Sequence, residues 1–526
     1  MAGIVTSNKT RKLVGNRLKE IDVPTTTLNT ALYYADLTAQ GASYTASHVN
    51  AELNAYPTVV KNNASLALTP SANKAGVVYA MNGDSKTLEE FEFQRGSSGT
   101  YFDASGVMQL AAANVPRINY DAGISKGLLI EPSSSNLFTD SGILNGLNSF
   151  PVKSSFGLTA VDTTFELGVL LAKGIKLTRD STTVYAYKTA TILPENTYSF
   201  SCYVKKADSS PLTNSDFAFT PDTTISNITI ISVGSNVYRV SCVISQSSKT
   251  SFGIIKRISD SNIDLIASGF QLEQTTHISS YIPTTTAIAT RLADKVLSKR
   301  PTAVFPKNSI NVKTAEWPRV WLGNGIDNLN IAGRNLLRGT RNVLQNIGTG
   351  LNDGSLYQGY AVVKLIGTGA AHEDTYRTLL GSLTRGTTYI VSFYAKASRN
   401  MDIRNHFYTP STTISGQSST GQTTSSADGS IAVSVTTSWQ KYWIKWTQTD
   451  TDVLKTLIIG RILNSTDTIE LAGFKFEHGT IETSWSPAPE DYVKINGAGS
   501  IEISSDEPIH IQQFSLISRE LKQEEV

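Results

Sequence analysis

Cysteine is nearly missing from this 526-residue chain: only Cys202 and Cys242 occur, too few for the disulfide frameworks that staple secreted domains. Both fall in phase with apolar neighbours, Phe200, Cys202 and Val204 in one run and Tyr238, Val240, Cys242 and Ile244 in another. They are therefore expected to be small buried hydrophobes on strands. Charge is sparse as well. Charged residues make up 17% and sum to +2, which leaves no field to draw in nucleic acid or an anionic membrane. No run of about 18 apolar residues occurs, and the stretch from Met1 to Ser7 lacks the basic and apolar regions of a secretory signal. The expectation is a protein made in a cytoplasm without membrane insertion.

Chemical motifs are equally scarce. No Gly-Lys-Ser/Thr phosphate loop, Gly-x-Ser-x-Gly elbow or EF-hand spacing is present. The six histidines, His48, His277, His372, His406, His478 and His510, include no pair at metal-ligand spacing, and His372-Glu373-Asp374 reads as a polar loop. No cofactor is expected, and metal is left open. A glycosidase needs two carboxylates about 5–10 Å apart. The nearest candidate, Glu90 and Glu92 on one strand face, reads better as an acidic strand edge. The enzyme expectation is negative, with no catalytic residue assigned.

What the chain does have is a 40% apolar content broken into short runs by Ser, Thr, Asn and Gly, the composition of an all-β protein with many turns. Its length implies two to four domains. Residues 1–85 differ from the rest because they carry helical patterns. Leu28, Ala31, Leu32 and Ala35 share one face, and Val49, Leu53 and Tyr56 share another behind a Ser47 cap, with Pro57 as a stop. Before them lies a basic arm, Lys9, Arg11, Lys12, Arg17 and Lys19, read either as a solvated terminus or as a docking element for another subunit.

From residue 86 the pattern becomes short alternating runs, the signature of a sandwich or barrel. It also repeats. Gly269-Phe270-Gln271-Leu272-Glu273 is followed by Tyr281-Ile282-Pro283, and Gly473-Phe474-Lys475-Phe476-Glu477 by Trp485-Ser486-Pro487, with the same Gly-to-Pro interval. Upstream, Asn136-Leu137-Phe138 answers to Asn335-Leu336-Leu337, the strand at Tyr198 to that at Tyr389, and Tyr238-Arg239-Val240 to Tyr442-Trp443-Ile444. Two copies of one fold follow. The expected domains are 1–85, an attachment segment; 86–297, a first jelly roll; 298–330, a linker; 331–490, a second jelly roll; and 491–526, short strands at Ile501 and Ile509 and an acidic tail with Glu520, Glu524 and Glu525.

The stretch Phe93-Gln94-Arg95-Gly96-Ser97-Ser98-Gly99-Thr100-Tyr101-Phe102-Asp103, with Asn114-Val115-Pro116-Arg117-Ile118-Asn119-Tyr120-Asp121, Gly127-Leu128-Leu129-Ile130-Glu131-Pro132 and Ser280-Tyr281-Ile282-Pro283, resembles a concanavalin-like or carbohydrate-binding-module-like jelly roll of tailed-bacteriophage structural proteins. The second module, ending in Trp485-Ser486-Pro487-Ala488-Pro489-Glu490-Asp491, looks like a related one. The resemblance implies a virion protein of a tail fibre, tail tip or head fibre, homotrimeric by habit, docked on other virion proteins through its N-terminal segment. A host-surface polysaccharide is its expected ligand. Capsid decoration and polysaccharide depolymerisation are the alternatives. All six Trp lie between residues 317 and 485; of the second module's, Trp439, Trp443 and Trp446 are the candidate sugar contacts, with Trp439 and Trp443 on one strand face and Trp446 on the other.

Overall fold

A computed structural model describes the chain from Lys9 to Ile517, leaving aside 15–16, 23–29, 83–87, 145–157, 300–308, 317–319, 323–355, 368–375 and a series of other short stretches. The described residues are mainly β, with three helices, Thr30–Ala39, Ala46–Ala55 and Thr58–Asn63. They assemble into two sandwiches and an 11-stranded sheet, here called the platform, that receives strands from distant parts of the sequence.

The platform strands run in the order Val320–Leu322, Ser309–Thr314, Ile509–Ile517, Ala64–Lys74, Val77–Asn82, Leu88–Gln94, Lys295–Ser298, Ile501–Ile503 and Val493–Ile495; the hairpin of Ile118–Asp121 and Ile124–Ile130 pairs with Ile509–Ile517. Side chains two apart share a face of a strand, and here each face has its own core. Leu66, Leu68, Val78, Ala80, Phe91 and Phe93 meet Ile511 and Phe514 on one side. On the other, Ala67, Val77, Tyr79 and Met81 meet Tyr33, Leu37, Val49, Leu53, Tyr56 and Val60 from the helices. Tyr56 joins the two ends of the chain, its hydroxyl lying 2.8 Å from Leu68 O and 2.9 Å from Phe514 O.

The sheet runs across the expected boundaries. Val77–Asn82 pairs with Leu88–Gln94 over the 85/86 division, and Ser309–Thr314 from the expected linker pairs with Ile509–Ile517 from the expected tail. Alternation marks a strand without naming its partner, so platform strands between 86 and 130 look like sandwich strands when read locally. The first sandwich occupies 134–291 and the strands of the second 356–478, both inserted into the platform.

Helix details differ too. Tyr33 and Leu37 are the buried face of Thr30–Ala39, whereas Ala31, Leu32 and Ala35 are exposed and Leu28 lies outside the described residues. The second helix buries Val49 and Leu53 as expected, but its cap is Thr45, whose hydroxyl accepts His48 N–H at 3.4 Å, instead of Ser47. Pro57 is the N-cap of the third helix. The basic arm is a strand pair, Lys9–Val14 against Arg17–Asp22, with Lys12 opposite Lys19 and Arg11 opposite Glu20.

The two sandwiches share one topology. In the first, the large sheet contains Lys173–Leu177, Leu265–Glu273, Thr197–Lys206, Val237–Ser245 and Ile225–Gly234 in that order; in the second, Val363–Ile366, Thr468–His478, Thr388–Ala397, Gln440–Thr447 and Ser415–Ser418. The facing sheets match as well: Val184–Thr189, Ser251–Lys256 and Ala218–Thr220 correspond to Tyr376–Ser382, Leu454–Arg461 and Met401–Tyr408. This is the jelly-roll arrangement the repeat predicts. Even the irregularities coincide, since register slips between Ser201 and Tyr203 in one copy and between Ser392 and Tyr394 in the other. Gly269 and Gly473 make the bulge, with φ of +62° and +58°. Cys202 and Cys242 are free thiols packed in the first core, where burial pushes both pKa values up.

Candidate functional site

Strand parity sorts the second sandwich's aromatics. Tyr389, Val391, Phe393 and Ala395 enter the core, so Ile390, Ser392, Tyr394 and Lys396 lie on the outer face of the large sheet. On the next strand Tyr442, Ile444 and Trp446 are core residues and Lys441, Trp443 and Lys445 face outward. Trp446 is thus no sugar contact: it is 1% exposed and stacks on Phe476 at 5.8 Å and on Tyr389 at 5.7 Å. Alternation separates Trp446 from Trp443, and Trp446 takes the side that meets the core.

Trp439 and Trp443 are half-buried on the outer side. The Trp439 ring stacks on Tyr357 with centroids 4.2 Å apart and 13° between planes, and Lys396 Nζ stands 5.4 Å from its centroid. Tyr394 adjoins both Tyr357 at 5.3 Å and Tyr360 at 5.9 Å, and Tyr360 meets the buried Trp485 at 4.8 Å. Trp443 lies opposite Ser392, with Lys445 Nζ 5.5 Å from its ring. The bulge makes this packing feasible, because a Cβ on Gly473 would come within 2.8 Å of the Tyr360 ring and 3.1 Å of Tyr394.

The carboxylates on this face are already engaged. Glu470 pairs with Lys396 at 2.9 Å, Glu482 with Lys441, and the fully buried Glu477 with Lys475 at 3.4 Å. Thr483 ties that last pair down by donating from Oγ1 to Glu477 at 2.6 Å while accepting from Lys475 at 2.5 Å. Burial lowers the Lys475 pKa even with Glu477 beside it. The face therefore offers π surfaces bordered by lysine–glutamate ion pairs.

The first sandwich uses its equivalent face differently. There Tyr203 corresponds to Tyr394 and Tyr281 to Trp485, and Tyr203 is sealed by Tyr281 at 6.1 Å and, at 6.4 Å, by Phe102 of a separate hairpin formed by Gly99–Phe102 and Met108–Ala111. Met108, Leu167 and Leu171 complete that contact. The 93–132 stretch, which carries Phe102 and Met108, supplies this contact. Arg95, Arg117, Glu131, Arg291 and Asp294 form a buried ionic cluster, with Arg117 Nη2 2.6 Å from Asp294 and 2.7 Å from Glu131, and Arg95 Nη1 3.1 Å from Asp294. Burial alone would raise the Glu131 pKa, but Arg291, Arg117 and Ser280 outweigh it and hold the carboxyl well below the usual range. Gly99 leaves room for the guanidiniums, since a Cβ there would lie 3.0 Å from Arg117 Nη1.

Other sequence candidates are dispersed. Glu90 and Glu92 point away from the Phe91 and Phe93 core, and Glu90 is paired with Lys299. His372-Glu373-Asp374, Trp317 and the acidic tail lie outside the described residues, as do the side chains of the basic arm. Among the described residues no helix is long and apolar enough to cross a membrane. Sequence reasoning missed Tyr357, Tyr360, Tyr394 and Lys396. Tyr394 was within reach, because it shares parity with Ser392 and Lys396; Tyr357 and Tyr360 stand in a stretch with no alternation to read.

No family model and no curated protein matches the chain. Among solved structures it overlaps a CBM4 structure at 14% identity, over 24% of this chain and 87% of that one, with a TM-score of 0.19. It also overlaps the N-terminal CBM22-1–CBM22-2 tandem domain of Xyn10C from Paenibacillus barcinonensis at 10% identity, over 62% and 92%, with a TM-score of 0.20. A cycloalternan-forming enzyme from Listeria monocytogenes aligns at 8% identity, over 76% and 30%, with a TM-score of 0.15. The fold assignment rests on the sheet order and register given above.

Proposed function

We propose that this chain is a non-enzymatic, glycan-binding structural protein of a tailed-phage virion, in which the platform and first sandwich form a mount and the second sandwich presents the binding face. The observation that carries the binding part is the contrast between equivalent faces: Tyr203 is sealed by Phe102 and Met108 of the hairpin formed by Gly99–Phe102 and Met108–Ala111, whereas Tyr394, Trp439 and Trp443 are half-buried. Stacked aromatic rings flanked by ammonium donors suit the apolar faces and hydroxyls of sugar rings. The ion-paired state of Glu470, Glu477 and Glu482 favours binding over general acid–base chemistry, which requires a carboxyl free to exchange a proton with substrate.

The virion part rests on the motif from Phe93 to Pro132 and its partner at Ser280 to Pro283; three of its charged residues, Arg95, Arg117 and Glu131, join Arg291 and Asp294 in the buried cluster. Docking by the N-terminal segment and a trimeric state belong to the same reading. An antibody against the second sandwich, imaged on intact particles, tests it. Label at a tail fibre, tail tip or head fibre is expected; particles without this chain would overturn the virion assignment while leaving glycan binding to be judged separately.

A further inference from the structure

Tyr203 and Tyr394 each stand opposite a cation on the neighbouring strand, Arg239 in the first sandwich and Lys441 in the second. Register thus makes these two cations equivalent, where local sequence matching sets Arg239 against Trp443. Their partners differ. Lys441 pairs with Glu482 and donates to Thr483 O at 3.0 Å. Counted from the bulge glycines, Thr483 answers to Ser279, and each donates from its hydroxyl to the buried glutamate of the preceding strand, Glu477 in one copy and Glu273 in the other. The residue before each is therefore equivalent too, and the position of Glu482 is held by Ile278 in the first copy. Arg239 keeps the charge without the carboxylate.

A pocket of about 130 Å³ opens at this place, lined by Arg239, Ile278 and Tyr203 of the first sandwich and by Asn119 and His510 of the platform. Of its other charged walls, Glu131 is fully buried against Arg117 at 2.7 Å and Arg291 at 3.4 Å, and His510 Nδ1 lies 2.6 Å from Glu316. Arg239 is half-buried, and among the described residues it has no carboxylate partner. Its Nη2 donates to Ser201 Oγ at 3.0 Å, its Cζ lies 5.5 Å from the Tyr203 ring centroid, and its Nε is buried without a partner. A guanidinium partly withdrawn from water with no counter-charge is a standing cost, and its planar fork matches a carboxylate. A cation would be repelled by Arg239, and a neutral group would leave that charge unmatched.

We infer that this pocket binds a small alkyl carboxylate from solution, which takes the place that Glu482 fills in the second copy. Its oxygens accept from Arg239, and its carbon end lies against Ile278 and Tyr203. The apolar side chain at 278 suits an alkyl group and offers nothing to an ion that is polar on every side, such as phosphate. The volume falls below the range of pockets for larger ligands, so the anion is of about acetate size. Because the walls come from the platform and the first sandwich together, the bound anion stabilises the joint between them.

Thermal denaturation of the full chain in sodium acetate, with sodium chloride at the same pH and ionic strength as the reference, tests this. A saturable rise of the transition is expected, because acetate binds the folded state alone. Arg239→Met should weaken acetate by at least about tenfold. Ile278→Glu, at a half-buried position, supplies the second copy's ion pair from within the chain; it should raise the transition in chloride and abolish the response to acetate. Inorganic phosphate should stabilise the parent less than acetate does. No saturable rise in the parent, a rise in both variants equal to the parent's, or a stronger effect of phosphate through Arg239 would overturn the inference.

Discussion

Tyr203 and Tyr394 stand beside the same glycine bulge in two copies of one fold, yet Tyr203 is 1% exposed beneath Phe102 while Tyr394 is half-buried beside Tyr357 and Tyr360. One duplicated face has become an internal joint and the other a surface. The stability of the first sandwich's joint and the binding proposed for the second sandwich are therefore separable by mutation.

Trp446→Ala should destabilise the second sandwich by about 3–5 kcal/mol, since it empties a fully packed site between Tyr389 and Phe476. Trp443→Ala, on the opposite face of the same strand, should cost no more than about 1 kcal/mol and should act on glycan binding. Thermal denaturation of both variants checks the difference.

Gly269→Ala and Gly473→Ala should each cost at least about 1–2 kcal/mol from the positive φ alone. The new methyl would also meet the Tyr203 ring at 2.7 Å in one copy and Tyr360 at 2.8 Å in the other. Only Gly473→Ala should weaken glycan binding in addition, by displacing Tyr360 and Tyr394. Calorimetry of stability together with binding separates the two.

Glu131→Gln should be destabilising by about 3–5 kcal/mol, because it leaves the buried Arg117 and Arg291 guanidiniums short of a counter-charge. The matching pH effect has a definite sign. Glu131 is held below its unfolded pKa, so its contribution is complete above the usual carboxylate range and is lost as pH falls through and below that range. Acid unfolding should begin at higher pH in Arg291→Met than in the parent.

Glu52 has the opposite sign. Burial pushes its pKa up from 4.5 to about 7 against the hydrogen bonds from Ser71, so the folded chain keeps a proton that the unfolded chain releases. Its contribution is complete below pH 4.5 and falls as pH rises to about 7, by at most about 3 kcal/mol. Glu52→Gln should flatten platform stability between those values, as read from denaturant midpoints at a series of pH.

The sandwiches were legible because a duplicated pattern carries its own check: the Gly-Phe-x-x-Glu strands at Gly269 and Gly473 bulge at the same register and end in the same buried glutamate. The Tyr56 bond to Phe514 was not legible, since 458 positions separate the partners and local alternation has no memory of distance. For the same reason residues 86–130 were grouped with the first sandwich when their strands Leu88–Gln94 and Ile124–Ile130 belong to the platform. At the site, parity correctly divided Trp443 from Trp446, and what it lacked was knowledge of which face met the core. The aromatic contribution of Tyr357 and Tyr360 depends on a two-residue strand pair too short to show a period.

Titration of the full chain against a panel of bacterial surface polysaccharides, beside the Trp439→Ala/Trp443→Ala variant, tests the central claim most directly. The account predicts that at least one polysaccharide binds the parent and that the variant, still folded with a cooperative thermal transition, loses that affinity by about a hundredfold or more. Equal affinity in parent and variant would contradict it, as would the absence of binding to every polysaccharide in the panel.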